Sequence, residues 1–433
     1  MSMELRRFPE ARGPGQDEEG EEQGHLISVL PPTDRGPAAW KFLCGCFIVE
    51  ALLWGFPLAF GVFQDYYSKQ PEFEGNTNIA AIGTVATSMY FLGAPLSAPL
   101  VRRFQKAQRY MIAGGWTICA LSLLGASMVD SVAGLIATQG VLYGLGFLML
   151  YFPVLTMLNE WFVQRRGLAY GVLYAGGGFS GVGLPFLLER LLATTGYRTT
   201  LRTIAIVQFA SLIPTMFLLK PRLPPSNSSA LRAVDWSFFR QPLFWVFSLS
   251  NLFQGFAYYI PSLYLPSFAS IIGLSGTMGA LILAANNMAC IIGQIGFGYL
   301  TDRFNNVAVL VFVSTFVSAL AGFAIWGFAH SLGALLAFSI VFGLFAGAYI
   351  VFWPKFGSLL SEDPQAIYSL MAFGKGIGNL ATGPITARLL TRPVTSGYGI
   401  GKFEPLIIFM GSLMLCSSLG IVGWPLKPRT LGA

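Results

Sequence analysis

Apolar residues in this sequence come in runs of about 20, separated by short polar breaks, and that length constrains the chain more than any motif in it. A helix rising about 1.5 Å per residue needs about 20 residues to cross roughly 30 Å of hydrocarbon. Twelve such runs are read, at about 40–63, 79–101, 110–129, 132–155, 167–188 and 201–219, then 243–269, 276–300, 307–329, 332–354, 367–390 and 404–425. An outer-membrane barrel would instead alternate over segments of about ten residues. Of the 433 residues, 54% are hydrophobic and only 11% charged, where a soluble domain carries about 25%. The mean hydropathy is +0.62, and no single water-soluble core hides that much apolar surface. The expected fold class is an all-α membrane protein of twelve transmembrane helices in two six-helix bundles.

The most polar break in the body runs from Lys220 to Gln241 and holds Pro221, Pro224, Pro225 and Ser226-Asn227-Ser228-Ser229. It divides the runs six and six and is too short for a domain. The expected organisation is a disordered cytosolic tail at 1–38, a first bundle at 39–219 and a linker at 220–242. A second bundle follows at 243–426, then a short tail at 427–433. The first tail clusters Asp17, Glu18, Glu19, Glu21 and Glu22, with no basic stretch leading into an apolar one, so no cleaved signal peptide is read.

Charge placement gives orientation. The formal charge is +7 and the pI about 9.2. These values reflect membrane topology rather than nucleic-acid binding, because most Lys and Arg sit in short loops. With the N-terminus inside, inner loops and tails hold 19 basic residues and outer loops 7, while Lys375 lies within a run. The bias puts both termini in the cytosol. It also puts the Asn227-Ser228-Ser229 sequon inside, where it is unused. The plasma membrane is the expected location, with the vacuolar membrane as the alternative. Five scattered Cys without a Cys-x-x-Cys pair, and two His (His25 and His330) outside the runs, argue against a disulfide framework, a metal site or a haem.

The loop after the second run reads Pro99-Leu100-Val101-Arg102-Arg103-Phe104, and the loop after the eighth reads Gly298-Tyr299-Leu300-Thr301-Asp302-Arg303-Phe304. Matching loops at matching places point to a transporter built from repeats. Arg102, Arg103, Asp302 and Arg303, with Arg165 and Arg166, are the expected cytosolic latch, since such groups can hydrogen-bond neighbouring helix ends.

The 298–304 string resembles the signature loop of the major facilitator superfamily. Within it the chain resembles the monocarboxylate-porter family, particularly its fungal members, from about Pro31 to the last run. The most specific stretch is Glu160-Trp161-Phe162-Val163-Gln164-Arg165-Arg166-Gly167-Leu168-Ala169-Tyr170-Gly171, followed by Ala175-Gly176 and Gly181. The family pattern there is aromatic-Phe, a basic cluster, Leu-Ala-x-Gly and Ala-Gly-x-x-x-Gly, in which small residues let helices approach closely. Pro31-Pro32 with Trp40, and Gly61-Val62-Phe63-Gln64-Asp65-Tyr66-Tyr67, fit the same family. Animal lactate carriers have a Lys after Phe-Pro in span 1, where this chain has Leu58 after Phe56-Pro57. They also carry Asp and Arg in span 8, and Gly293–Gly298 has neither.

Ionisable groups inside spans cost several kcal/mol unless paired or wet, so each is a functional candidate. Glu50 lies ten residues past Trp40, and Lys375 roughly ten residues into the helix starting near Gln365. Both are therefore about 15 Å deep, and a pair between them is open. Glu50 is the expected proton-coupling group, and Lys375 a counter-charge for substrate or for Glu50. The resemblance implies that spans 1, 4, 7 and 10 line a central cavity, which makes Tyr151, Tyr258, Tyr259 and Trp353 candidate substrate contacts. Asn286, Asn287 and Gln294 are candidate hydrogen-bonding groups, with interhelix bonding an equal alternative.

The expected function is secondary transport of a small organic solute by alternating access, with an organic acid or secondary metabolite exported. A proton-coupled monocarboxylate importer is the alternative, and a transporter-like nutrient sensor is the alternative of another class. No ATP-binding motif is read, so a gradient supplies the energy. No enzyme activity, cofactor or metal is expected. The expected partners are the lipid bilayer, the solute and protons, with no nucleic acid, and the chain is expected to be a monomer.

Overall fold

The computed structural model describes residues 30–68, 70–73, 79–224, 236–304, 306–361, 364–390 and 397–426. The acidic cluster at 17–22, the sequon and the tail at 427–433 lie outside the described residues, as does the Arg102 side chain. The described residues are helical throughout, with short connections. The first half of the chain contributes α1 (Gly36–Leu58), α2 (Phe60–Ser68), α3 (Ile79–Leu92), α4 (Ala94–Arg103) and α5 (Gln108–Ala126). Then come α6 (Val132–Leu135), α7 (Tyr143–Trp161) and α8 (Arg166–Leu218). The second half contributes α9 (Pro242–Tyr258), α10 (Ile260–Ile271), α11 (Gly276–Arg303) and α12 (Val307–Leu320). It ends with α13 (Leu332–Ala346), α14 (Trp353–Leu360), α15 (Pro364–Leu389) and α16 (Glu404–Ser418).

Local chemistry sets these boundaries. Pro37 stands in the first turn of α1, where a missing N–H costs nothing, so the helix begins at Gly36, inside the stretch expected to be tail. Ser275, Asn306 and Ser331 each accept a backbone N–H at the starts of α11, α12 and α13. The segments Ser131-Val132-Ala133-Gly134-Leu135 and Ser331-Leu332-Gly333-Ala334-Leu335 repeat this device. Ser131 Oγ accepts from Gly134 N at 3.2 Å, and Ser331 Oγ from Ala334 N at 3.4 Å.

Seven helical stretches among the described residues are long and apolar enough to cross a membrane, and a bent pair, Ala81–Leu92 with Ala94–Val101, makes eight if it is one span. The difference from twelve runs has physical causes. The fifth and sixth runs, expected as helices separated by a loop, are joined in α8, whose 53 residues would reach about 80 Å, more than twice the hydrocarbon thickness. The helix breaks at Gly196, where φ is 74° and ψ 169°. The seventh run is divided at Tyr259 into α9 and α10. α5 and α15 are long enough but carry more polar residues, including Gln108 and Arg109 in one and Lys375 and Asn379 in the other.

Large apolar side chains face outward around the molecule, with Leu96 77%, Phe217 69% and Ile213 66% exposed. Water would penalise that surface, whereas lipid does not. The chain is an all-α, multi-spanning membrane protein. Its two halves meet along two seams, α8 against α11, and α3 and α4 against α15. In the first seam backbones nearly touch: a Cβ added at Gly298 would lie 2.5 Å from the Gly167 carbonyl oxygen.

Candidate functional site

Between the seams lies a cleft with about 680 Å³ free of protein atoms, the open solvent at its mouth included. Glu50 and Trp54 of α1 line it, with Tyr174 of α8, Tyr258 and Tyr259 at the α9–α10 break, Asn286, Asn287 and Gln294 of α11, and Lys375 of α15. The sequence placed most of these on separate runs, and the fold brings them to one site.

Lys375 is 2% exposed. Its Nζ donates to Gln254 Oε1 at 2.8 Å and sits 4.3 Å from the centre of the Tyr258 ring. Tyr259 and Trp353 hold it at 5.8 and 5.9 Å. Ring faces attract a cation, the more so away from water. The setting is itself braced. Gln254 donates to the Ala346 carbonyl at 3.2 Å, Trp353 Nε1 donates to Asn251 Oδ1 at 2.8 Å, and Asn251 Nδ2 donates to the Met371 carbonyl at 2.7 Å. Gln254 and Asn251 were not singled out from the sequence. They stand one and two turns before Tyr258 and Tyr259, polar positions spaced three apart in a largely apolar helix, which was the available signal.

Glu50 is 3% exposed, and its Oε2 has no hydrogen-bond partner among the described residues. It packs against α8, where a Cβ at Gly176 would lie 3.1 Å from Glu50 Cβ. Glu50 and Lys375 line one cleft but form no ion pair among the described residues, and the amine bonds Gln254 instead. Tyr151 does not reach the cleft lining. It is fully buried beneath it, beside Glu50 and Tyr90. Trp353 likewise acts from behind, through its ring and through Asn251.

The amides divide in function. Asn287 Nδ2 donates to the Gly181 carbonyl at 2.9 Å and so joins α11 to α8. Gln294 Nε2 donates to the Gly347 carbonyl at 3.4 Å, while Gln294 Oε1 and Asn286 Oδ1 have no partner among the described residues.

At the end of the α8–α11 seam, Asp302 Oδ1 accepts from Gly167 N and Oδ2 from Leu168 N, both at 2.8 Å. A carboxylate at a helix N-terminus meets unpaired amides and the positive end of the dipole. Arg166 Nη1 reaches Ser358 Oγ of the second half at 3.4 Å. Arg165 contributes its backbone N–H, and Arg103 and Arg303 lie over the neighbouring Phe104 and Tyr299 rings. A second carboxylate, missed because residues 1–38 read as tail, completes the arrangement. Asp34 accepts from the amides of Val163, Gln164 and Arg165 at 2.8–3.1 Å.

A helical membrane protein with a buried, partly charged cleft between two halves of its chain is built as a carrier. The sequence profile of the Major Facilitator Superfamily matches residues 42–383. The chain belongs to that superfamily, and it is a secondary transporter of a small organic solute rather than an enzyme. It is 30% identical over 274 residues to the MFS-type transporter pytF of Aspergillus terreus, covering 63% of this chain and 92% of that one. It is 27% identical to the MFS-type transporter pynF of Aspergillus niger, with 89% of each chain covered. It is 25% identical to the fujikurins efflux protein of Gibberella fujikuroi, covering 89% of this chain and 83% of that one. The crystal structure of the nucleoside transporter NupG superposes with a TM-score of 0.62 at 13% identity, covering 90% of this chain and 99% of that one, a likeness of fold alone.

Proposed function

We propose that the protein exports a small organic acid or secondary metabolite by alternating access, using a proton taken up at Glu50. The observation that carries this reading is the cleft between the halves, which sets a buried carboxyl and a buried amine among aromatic side chains. Lys375 supplies a positive charge for an acidic solute. Trp54, Tyr258 and Tyr259 supply flat apolar walls, and Asn286 and Gln294 supply acceptors for hydroxyl groups. Relatives named as efflux proteins for fujikurins and agnestins support the outward direction.

The same reading takes the chain as twelve spans in two six-helix bundles, joined by the linker at 220–242. The break of α8 at Gly196 and the division of the seventh run at Tyr259 support that count. It is a fungal-type member of the monocarboxylate-porter family, a monomer in the plasma membrane with both termini in the cytosol. The span-5 motif and the charge bias support these assignments.

Metabolite profiling of cells and medium, with the gene deleted and intact, tests the reading. A compound that builds up in deleted cells and falls in the medium identifies the cargo and confirms export. Matching profiles with slowed uptake of a short-chain acid would favour the importer. Transport whose pH dependence survives Glu50→Gln would remove Glu50 from coupling.

A further inference from the structure

Beneath the cleft, Glu50 Oε2 and the Tyr151 hydroxyl are buried polar atoms with no hydrogen-bond partner among the described residues. They belong to neighbouring side chains, Glu50 on α1 and Tyr151 on α7, that are not hydrogen-bonded to each other here. One can donate and the other accept. The Tyr90 ring stands edge-on to Tyr151, with centroids 5.1 Å apart. The Tyr90 hydroxyl lies 3.5 Å from that of Tyr368, which in turn lies 2.7 Å from that of Tyr174. All these rings are buried. Three belong to the first half of the chain, and Tyr368, on α15, to the second.

We propose that this row of hydroxyls couples the charge on Glu50 to closure of the two halves, with Tyr368 as the positioning residue that carries the link across the seam. The proposal rests on the reading of Glu50 as the proton-coupling group. A phenol both donates and accepts, so the row can be polarised in one direction. Ionised Glu50 accepts from Tyr151, Tyr151 from Tyr90, Tyr90 from Tyr368, and Tyr368 from Tyr174. A bond to a charged acceptor is about twice as strong as a neutral one, and bonds in a chain strengthen one another. A proton arriving from the cleft converts the carboxylate to a neutral acid, while every hydroxyl keeps its own proton and only reorients. The charged end of the chain is then gone. Two links cross between the halves, Tyr90 to Tyr368 and Tyr174 to Tyr368, and the longer, at 3.5 Å, lies nearer the Glu50 end of the row and releases first. An ionised Glu50 holds the tyrosine side shut, and a protonated one lets it open.

Other groups share this field. Cys46 on α1 and Tyr259 at the head of α10 feel the Glu50 charge. Lys375, Tyr258 and Cys290 line the far wall of the cleft. Lys375 is held by Gln254 and the rings around it, so it does not replace Tyr151 at the carboxyl.

The test uses protons as the only ligand. Full-length protein in lipid nanodiscs, with the exposed Cys44 replaced (Cys44→Ser), carries spin labels at Phe104, after α4, and Trp236, before α9, both exposed. The distance between them is measured from about pH 9 to about pH 5, which takes in values documented for buried carboxyls. The expected wild-type response is a shift to longer distances as pH falls. Tyr368→Phe is expected to give the longer distance across the range, as is Glu50→Gln. Should Tyr368→Phe fold poorly, Tyr174→Phe keeps both rings and moves the midpoint to higher pH. A wild-type distance unchanged by pH overturns the proposal. If Glu50→Gln loses the response but both tyrosine variants keep it with the wild-type midpoint, the hydroxyl row is wrong and Glu50 coupling stands. If Glu50→Gln itself keeps the response, Glu50 coupling fails as well.

Discussion

The Asp302 carboxylate, at the end of α11, grips the amide of Gly167 at the start of α8 at 2.8 Å, and its second oxygen takes the next amide at the same distance. One side chain of the second half thus satisfies two otherwise unpaired donors of the first, and the seam between the halves closes on a charge.

Asp302→Asn puts an NH2 group against an N–H donor and removes the charge. Hydrogen bonds to charged groups contribute about 1.5–3 kcal/mol, so a loss in that range is expected. Hydrogen exchange should quicken at the first amides of α8 while the rest of that helix keeps its protection. Unchanged exchange there would show that Asp302 holds nothing.

Gln254→Leu strips Lys375 of its acceptor. A buried group left without a partner costs about 1–3 kcal/mol, and more when charged, so the melting temperature in detergent should fall. Adding Lys375→Met removes the unpaired charge and should recover most of the stability without restoring transport. That double-mutant pattern separates the amine's role in transport from any role in folding.

Gly298→Val sets a Cβ 2.5 Å from the Gly167 carbonyl oxygen. The opposing atom is backbone and cannot swing aside, so the seam cannot reach its present closeness. Transport should drop to background while the amount of protein in the membrane, read by a fluorescent tag, stays near normal. Gly298→Ala is expected to lie in between.

Gly196→Ala isolates backbone strain. At φ 74° and ψ 169° a side chain is strongly disfavoured, at about 1–3 kcal/mol. Space is not the issue, since the nearest atom to an added Cβ is the Tyr66 hydroxyl at 3.7 Å. A lowered melting temperature with normal solute affinity is expected.

The length of the apolar runs made the multi-spanning helical fold legible, and isolated charges within runs made Glu50 and Lys375 legible. Their immediate partners were not. Nothing in the spacing of Gln254 and Lys375 announces a bond between residues 121 apart, because the contact exists only once α9 and α15 pack. The same holds for Tyr368, an unremarked aromatic until its hydroxyl meets Tyr174. Asp34 was hidden for another reason. It lies in a polar stretch that reads as solvated, and its capping role depends on the loop before α8 folding over it. The join of α8 escaped because a loop was inferred from polar residues near 189–200, where the helix runs on to Gly196.

The Ser131 and Ser331 caps lie 200 residues apart, and so do Phe104 and Phe304 at the ends of the paired loops. The register sets Arg102 opposite Asp302: where one copy keeps an acid, the other has a base. The two paired loops are therefore lopsided. The carboxylate clasp grips the α8–α11 edge, while the loop of the other copy offers no acid to the edge where α4 meets α15. The expected motion is that of a door swinging on one jamb rather than a bellows parting evenly, with the α4–α15 edge leading. Spin-label pairs placed on both edges would register which one moves first.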